Sequence, residues 1–178
     1  RTGPPGMSVA ELCQAAITVS DTTAANLLLA SLGGPAAVTA YARGLGDPLT
    51  RLDRIEPELN TGSPGDVRDT TTPNAMLADL RALLLGNALS ASSRQQLAEW
   101  LRATRTGTGK LRAGVPGDWR VGDKTGQWDG NGAGANNDVA IVWPPKRKPI
   151  LVAAYYMNHT MDPSTRKAVL ADVGRIVA

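Results

Sequence analysis

Scarcity narrows the chemistry of this 178-residue sequence first: it has one histidine, one cysteine and no phenylalanine. A zinc site of the Cys/His type needs several such ligands, so metallo-hydrolase chemistry is not expected. No metal or other cofactor is expected elsewhere. The formal net charge is only +3, and the basic residues are scattered rather than interleaved with aromatics. That is not the footprint of a nucleic-acid surface, and no nucleic-acid partner is expected. No apolar run approaches the ~20 residues of a membrane span, so no membrane partner is expected either. Internal repeats and low-complexity segments are absent.

With 42% hydrophobic and 20% charged residues, the chain has the composition of a globular domain able to bury a core. Cys13 shares an apolar helical face with Leu12, Ala16 and Ile17 and reads as a small buried hydrophobe. His159, between a strand and a helix, reads as a surface turn residue.

The first half is helical by its punctuation. Ser8 with Glu11 three residues on forms a capping box, predicting a helix over 9–18. Residues 22–32 follow, ended by Gly33-Gly34, and Pro35 opens a helix to residue 45. Ala, Leu and Val are dense enough there that both helices are expected to be buried on more than one face. Thr72-Pro73 starts another helix, with Met76, Leu77, Leu80, Leu83 and Leu84 at helical spacing up to Gly86. Ser90 caps one over 91–103, and a helical turn is expected at 110–113.

The period then changes. Residues 119–124, 138–143 and 150–157 read as strands, joined by a Gly-rich connection at 127–136 and a basic turn at 144–149. A final amphipathic helix covers 162–178. Helices first and antiparallel strands later predict two lobes, a mostly helical one over 1–103 and a sheet with a closing helix over 104–178.

Between residues 47 and 70 the chain fits neither period. Pro48, Pro57, Gly62, Pro64 and Gly65 interrupt it, while Arg51, Asp53, Arg54, Glu56, Glu58, Asp66, Arg68 and Asp69 charge it heavily. A solvated surface loop with a Pro-Glu turn is one reading. A long loop inside a compact domain is as often functional. Arg54 and Asp69 bracket it and are expected to pair and close its base.

Three short motifs favour function. Ser20-Asp21-Thr22 precedes the second helix, Glu56-Pro57-Glu58-Leu59-Asn60 lies in the charged loop, and Lys124-Thr125-Gly126 ends a strand. In this order and at these separations they resemble the class A serine β-lactamases. The resemblance extends over essentially the whole chain, through Thr23-Ala24-Ala25-Asn26-Leu27-Leu28 and Asp69-Thr70-Thr71-Thr72-Pro73. It implies an α/β (α+β) fold shared with penicillin-binding proteins, a helical lobe plus an antiparallel sheet flanked by helices. The implied activity is hydrolysis of the β-lactam ring of penicillins and cephalosporins through a serine acyl-enzyme.

The resemblance also assigns roles. Ser20 would relay a proton to the departing ring nitrogen; from its position alone it reads as the N-cap of the helix starting near Thr22, and it could do both. Asp21 would orient that turn. Lys124 would supply positive potential and a hydrogen bond to Ser20. Thr125 would meet the substrate carboxylate, Gly126 would let substrate lie against the strand, and the Gln127 N–H would be one oxyanion donor. Glu56, with Asn60, would hold and activate the deacylating water. Arg54 and Asp69 would be structural.

The family's nucleophile is the Ser of an upstream Ser-x-x-Lys motif. The sole match here, Ser164-Thr165-Arg166-Lys167, lies downstream and reads as a helix N-terminus. The resemblance therefore implies the C-terminal two-thirds of such an enzyme. The nucleophile segment of the same protein would be its partner, the complete protein a monomer, and its location periplasmic or secreted. These residues by themselves are expected to be inactive. Cys13 would match a position that forms a disulfide in some members, and that pairing stays open. A penicillin-binding or sensor domain that is acylated but not turned over is the competing reading, as is an inert fragment. The Glu56–Asn60 pair favours the hydrolase.

The sequence departs from the family in three places. Thr22 stands where the family usually has Asn. A shorter hydroxyl replaces an amide that both donates and accepts. Lys110 stands where many members carry a carboxylate-gripping Arg, and a Lys cannot grip bidentately. Trp128 follows Gly126 and either roofs the site or packs in a turn.

Overall fold

The computed structural model describes residues 6–61, 65–130, 133–157 and 161–178. His159, Gly62 and Pro64, each singled out above, lie outside the described residues.

Most of the helices begin where a side chain satisfies their first N–H groups. In α1 (Val9–Thr18) the Ser8 hydroxyl accepts from the Glu11 N–H, and the Glu11 carboxylate accepts from the Ser8 N–H at 2.7 Å. Asp21 caps α2 (Thr22–Leu32), which ends at Gly33 with φ 95°, a left-handed turn that glycine adopts without cost. Pro35 opens α3 (Pro35–Leu45). Thr72 caps α4 (Pro73–Leu84), and Ser90 caps α5 (Ala91–Arg102). A single turn, α6 (Leu111–Gly114), precedes the sheet, and α7 (Pro163–Val177) closes the chain. The α7 cap is Asp162, whose carboxylate accepts from the Ser164 and Thr165 N–H groups. Ser164 thus sits in the first turn of the closing helix.

The strands β1 (Arg120–Gly130), β2 (Ala133–Trp143) and β3 (Ile150–Met157) form one antiparallel sheet in the order β1-β2-β3. The expected loop at 127–136 is instead mostly strand, with 131 and 132 outside the described residues. Gly, Ala and Asn have little strand propensity, but Gln127 pairs with Asn136, and Asn136 pairs in turn with Tyr156. A central position between two strands overrides the local preference.

Helices cover both faces of the sheet. Alternation along β2 sends Ala140 and Val142 to one side and Ile141 to the other. The first side packs Leu111 of α6 and Val173 of α7 against Val121 and Val152. The second packs Leu80 and Leu84 of α4 and Leu101 of α5 onto Ile141. Burying each of these large side chains is worth roughly 1.5–3 kcal/mol.

The expectation of deep burial for α2 and α3 needs correction. Only Ala24, Leu29 and Ala42 are buried there, while Leu27, Leu32 and Tyr41 are about half exposed. Their main contacts are with α1, one another and α4, so one face of each remains uncovered.

Candidate active site

Ser20 lies in the turn between α1 and α2 with φ 55°, a left-handed conformation uncommon outside glycine. It does not cap α2, as the sequence suggested. Asp21 does, through its carboxylate and the Ala24 N–H at 2.8 Å. The Ser20 hydroxyl is thereby spared from capping and accepts a 2.5 Å hydrogen bond from Lys124 Nζ, from 104 residues along the chain. Lys124 projects from β1 and also donates to the Thr125 carbonyl at 2.6 Å. Burial lowers its pKa, opposed by the charges of Asp123, Asp138 and Glu56.

The charged loop is tied at its neck. Asp69 Oδ1 accepts from the Asp53 N–H at 2.7 Å and the Arg54 N–H at 3.0 Å, while Oδ2 meets Arg54 Nε at 2.5 Å. Asp53 returns the bond by accepting from the Asp69 N–H at 3.0 Å. Arg54 then reaches across the loop to the Thr61 hydroxyl and carbonyl. Below the neck, Thr50 and Thr71 share a 2.6 Å hydroxyl contact.

Within the loop the Glu56–Pro57 peptide is cis, and a one-turn 3-10 helix spans Glu58–Asn60. The Asn60 amide donates to the Glu56 carboxylate. The Glu56 backbone is held from outside the loop: Asn26 on α2 donates to its carbonyl at 2.9 Å and accepts from its N–H at 3.0 Å.

These parts converge on one cavity of about 330 Å³. Ser20, Asp21 and Thr22 line it from the α1–α2 turn, Glu56 and Asn60 from the loop, and Lys124, Thr125 and Gln127 from β1. Among the described residues β1 pairs on one side only, so its other edge is left to the cavity. Gly126 lies between these β1 residues, and a Cβ there would make only ordinary contacts, the nearest 3.5 Å from Asn137.

Trp128 does not line this cavity. It faces a neighbouring one of about 440 Å³ beneath the charged loop, and the two share Asn60 and Gln127.

Lys110 is placed differently from the expectation. It is 1% exposed and does not reach the cavity. Its ammonium lies under the sheet, donating to the Gly126 and Asn137 carbonyls at 3.3 Å each. Asp138 and Asp123 are fully buried nearby, and Arg112 pairs with Asp123. Burial pushes Lys110 down to about 8, and burial together with the Asp123 charge pushes Asp138 up to about 8. Gly107 makes room for this layer, since a Cβ there would fall 1.7 Å from Asp123 Oδ2.

Two contributors were not singled out from the sequence. Thr106 lines the cavity, its hydroxyl 2.7 Å from that of Thr125. Asn26 stood only within a matching run of residues. Both are ordinary polar side chains, and only the fold brings them to the site. Cys13 is a half-buried thiol on α1, and the basic turn at 145–148 is exposed. Among the described residues no group of three His, Cys, Asp or Glu side chains could hold a metal. Nor is any single described helix long and apolar enough to cross a membrane.

An antiparallel sheet with helices on both faces and a polar cavity at its edge strand is the frame of the β-lactamases. The model of the β-lactamase enzyme family matches residues 2–178, and the chain belongs to that family. Its class follows from solved structures. An ancestral (GNCA) class A β-lactamase superposes with a TM-score of 0.93 at 62% identity, covering 98% of this chain and 66% of that one. β-Lactamase AST-1 of Nocardia asteroides is 53% identical over 172 residues, 97% of this chain and 54% of the relative. β-Lactamase OXY-1 of Klebsiella oxytoca is 49% identical over 172 residues, 97% of this chain and 58% of the relative. The chain thus spans somewhat over half the length of these two relatives.

Proposed function

We propose that these residues form the accessory half of a site that hydrolyses β-lactams, the nucleophile coming from a Ser-x-x-Lys segment outside residues 1–178. The observation that carries this reading is the convergence of Ser20–Lys124 and Glu56–Asn60 on one cavity. The first pair suits proton delivery to a leaving nitrogen. The second suits activation of water. The cavity lies where the helical part, 1–103, meets the sheet part, 104–178.

In the acylation half-reaction the nucleophilic Ser oxygen attacks the ring carbonyl and the C–N bond breaks. Ser20 passes its proton to the departing nitrogen and receives in turn the proton that the nucleophilic hydroxyl gives up, with Lys124 holding the Ser20 oxygen in place. The Gln127 N–H, at the open edge of β1, stabilises the oxyanion. Gly126 leaves the strand edge unobstructed, since nothing in the protein's own packing fills the space of a Cβ there. Thr22 faces the substrate's side-chain amide, and Thr125 its carboxylate.

In deacylation Glu56 takes a proton from water held with Asn60. The water oxygen attacks the ester carbonyl, the Ser–acyl bond breaks, the proton held by Glu56 returns to the departing Ser oxygen, and the ring-opened acid leaves. Asn60 directs the carboxylate by donating to one of its oxygens. Asn26 fixes the backbone from which it projects. The presence of this pair in the cavity favours a hydrolase over a receptor that stays acylated.

By the same resemblance the complete protein acts as a monomer in the periplasm or outside the cell. The test is turnover of a chromogenic cephalosporin by the complete enzyme, meaning these residues joined to a Ser-x-x-Lys segment. Sustained hydrolysis supports the reading, and a single stoichiometric burst that leaves an acylated protein supports the receptor instead.

A further inference from the structure

Lys110 is a costly residue to bury. It is 1% exposed, so its ammonium must be held by protein acceptors in place of water. Those acceptors are two neutral backbone carbonyls, of Gly126 and Asn137, at 3.3 Å each. The buried carboxyl groups nearby are engaged elsewhere. Asp123 pairs with Arg112, and Asp138 accepts from the Leu111 N–H at 3.1 Å. Gly126 and Asn137 face each other across β1 and β2, so the ammonium bridges the two strands at a single register.

The Gly126 carbonyl belongs to the same peptide unit as the Gln127 N–H. Among the described residues the cis peptide is Glu56–Pro57, so the Gly126–Gln127 unit is trans, and its C=O and N–H point in opposite directions. The carbonyl is turned inward to Lys110. The N–H is turned to the open edge of β1, where Gln127 lines the cavity. Resonance joins the two ends of a peptide. A cation on the carbonyl oxygen draws electron density through the C–N bond and leaves the N–H more positive. Hydrogen bonds in such a chain strengthen one another, and burial spares this one from screening by water.

We propose that Lys110 is a positioning residue for the oxyanion donor: its ammonium, seated on the Gly126 carbonyl, orients and polarises the Gln127 N–H toward the carbonyl of the β-lactam. Lys110 acts through the peptide and touches no substrate. This rests on the reading of the cavity as a β-lactam site with the Gln127 N–H as an oxyanion donor.

The test reads the ester carbonyl of the acyl-enzyme by infrared difference spectroscopy, using benzylpenicillin isotope-labelled at the ring carbonyl. The Glu56→Gln form of the complete enzyme serves as parent, so that the adduct persists. The pH is 6, below the Lys110 pKa of about 8, so the ammonium is present. A carbonyl held by a strong donor absorbs at lower frequency than one held by a weak donor. Lys110→Met keeps the length of the side chain and removes the charge. It is expected to move the ester band to higher frequency and to slow acylation about tenfold, less than the roughly hundredfold or more that loss of a whole oxyanion donor costs. Asp138→Asn alters the same buried layer but keeps the ammonium, and is expected to leave the band in place. If Lys110→Met yields no soluble enzyme, the double variant Lys110→Met/Asp138→Asn, which leaves no unpaired buried carboxylate, is read by the same band. A band that stays put when the ammonium is lost overturns the proposal even where acylation slows, because a charge acting on the substrate from a distance gives slowing alone. A band that moves as far in Asp138→Asn overturns it too, because any disturbance of the buried layer then suffices. A parent that forms no acyl adduct contradicts the β-lactam reading itself, and the proposal with it.

Discussion

Asn26 grips Glu56 by both ends of its backbone, donating to the carbonyl at 2.9 Å and accepting from the N–H at 3.0 Å. An amide carries a donor and an acceptor on separate atoms and can do both at once. The candidate base is therefore positioned by α2, the helix that begins directly after Ser20 and Asp21. The two halves of the proposed chemistry share one rigid support.

Asn26→Asp should be the informative substitution at this contact. The carboxylate still accepts from the Glu56 N–H but faces the Glu56 carbonyl with no donor. The lost bond, worth roughly 0.5–1.5 kcal/mol before repulsion is added, should loosen Glu56 and slow deacylation more than acylation. Pre-steady-state kinetics on the complete enzyme check this. Equal slowing of both steps would mean that Asn26 supports the fold alone.

The Arg54–Asp69 pair should matter to stability far more than a surface ion pair. Their side chains are 17% and 4% exposed, and Asp69 also satisfies two backbone N–H groups. Asp69→Ala should cost about 3–5 kcal/mol in urea unfolding, because it leaves Arg54 and those donors without their acceptor. The pH dependence has a definite sign. Burial raises the Asp69 pKa, but hydrogen bonds from Asp53 and Arg54 outweigh it, so the net shift is downward. A depressed folded pKa gives stability that is present above the ordinary carboxylate range and lost as pH falls through the folded value. The parent should accordingly lose stability in acid more steeply than Asp69→Asn.

Asp79 should behave in the opposite sense. Burial and the neighbouring charge of Asp47 push its pKa up to about 6. A raised folded pKa means that stability is full below the unfolded value and is lost as pH rises through about 6. Asp79→Asn mimics the neutral acid and should leave stability at pH 4 nearly unchanged. At pH 8 it should raise it, by at most about 3 kcal/mol at roughly 1.4 kcal/mol per pKa unit. Thermal unfolding of parent and variant at the two pH values decides the matter, and a gain at pH 4 alone would contradict the account.

Much of this was legible in the sequence, for local reasons. Caps and breakers such as Ser8, Pro35, Thr72 and Ser90 act within a few residues, and they placed the helices closely. The motif residues were legible because their chemistry is unusual for a loop. The errors came from tertiary context. Gln127 and Asn136 became strand because a third strand pairs beyond them, which local propensity cannot register. The turn's cap passed from Ser20 to Asp21 because Lys124, far along the chain, claims the serine hydroxyl. Lys110 turned inward because buried Asp138 and two backbone carbonyls surround it, and nothing adjacent in sequence announces them.

Thr22 is exposed at the start of α2 and lines the cavity, so an amide there can reach solvent-filled space without repacking. Thr22→Asn should raise kcat/KM for penicillins, by no more than about tenfold, the worth of one recovered hydrogen bond. Steady-state kinetics check it. A fall in kcat/KM would assign Thr22 a role of its own in shaping the cavity.

The most direct measurement concerns Glu56. In the complete enzyme Glu56→Gln keeps the size of the side chain and removes the base. Benzylpenicillin should then acylate the nucleophilic Ser and stay attached, giving a persistent adduct by intact-protein mass spectrometry. Turnover should drop at least about a hundredfold, the lower end of what a general base contributes. A folded Glu56→Gln protein that releases its acyl group as fast as the parent would contradict the account.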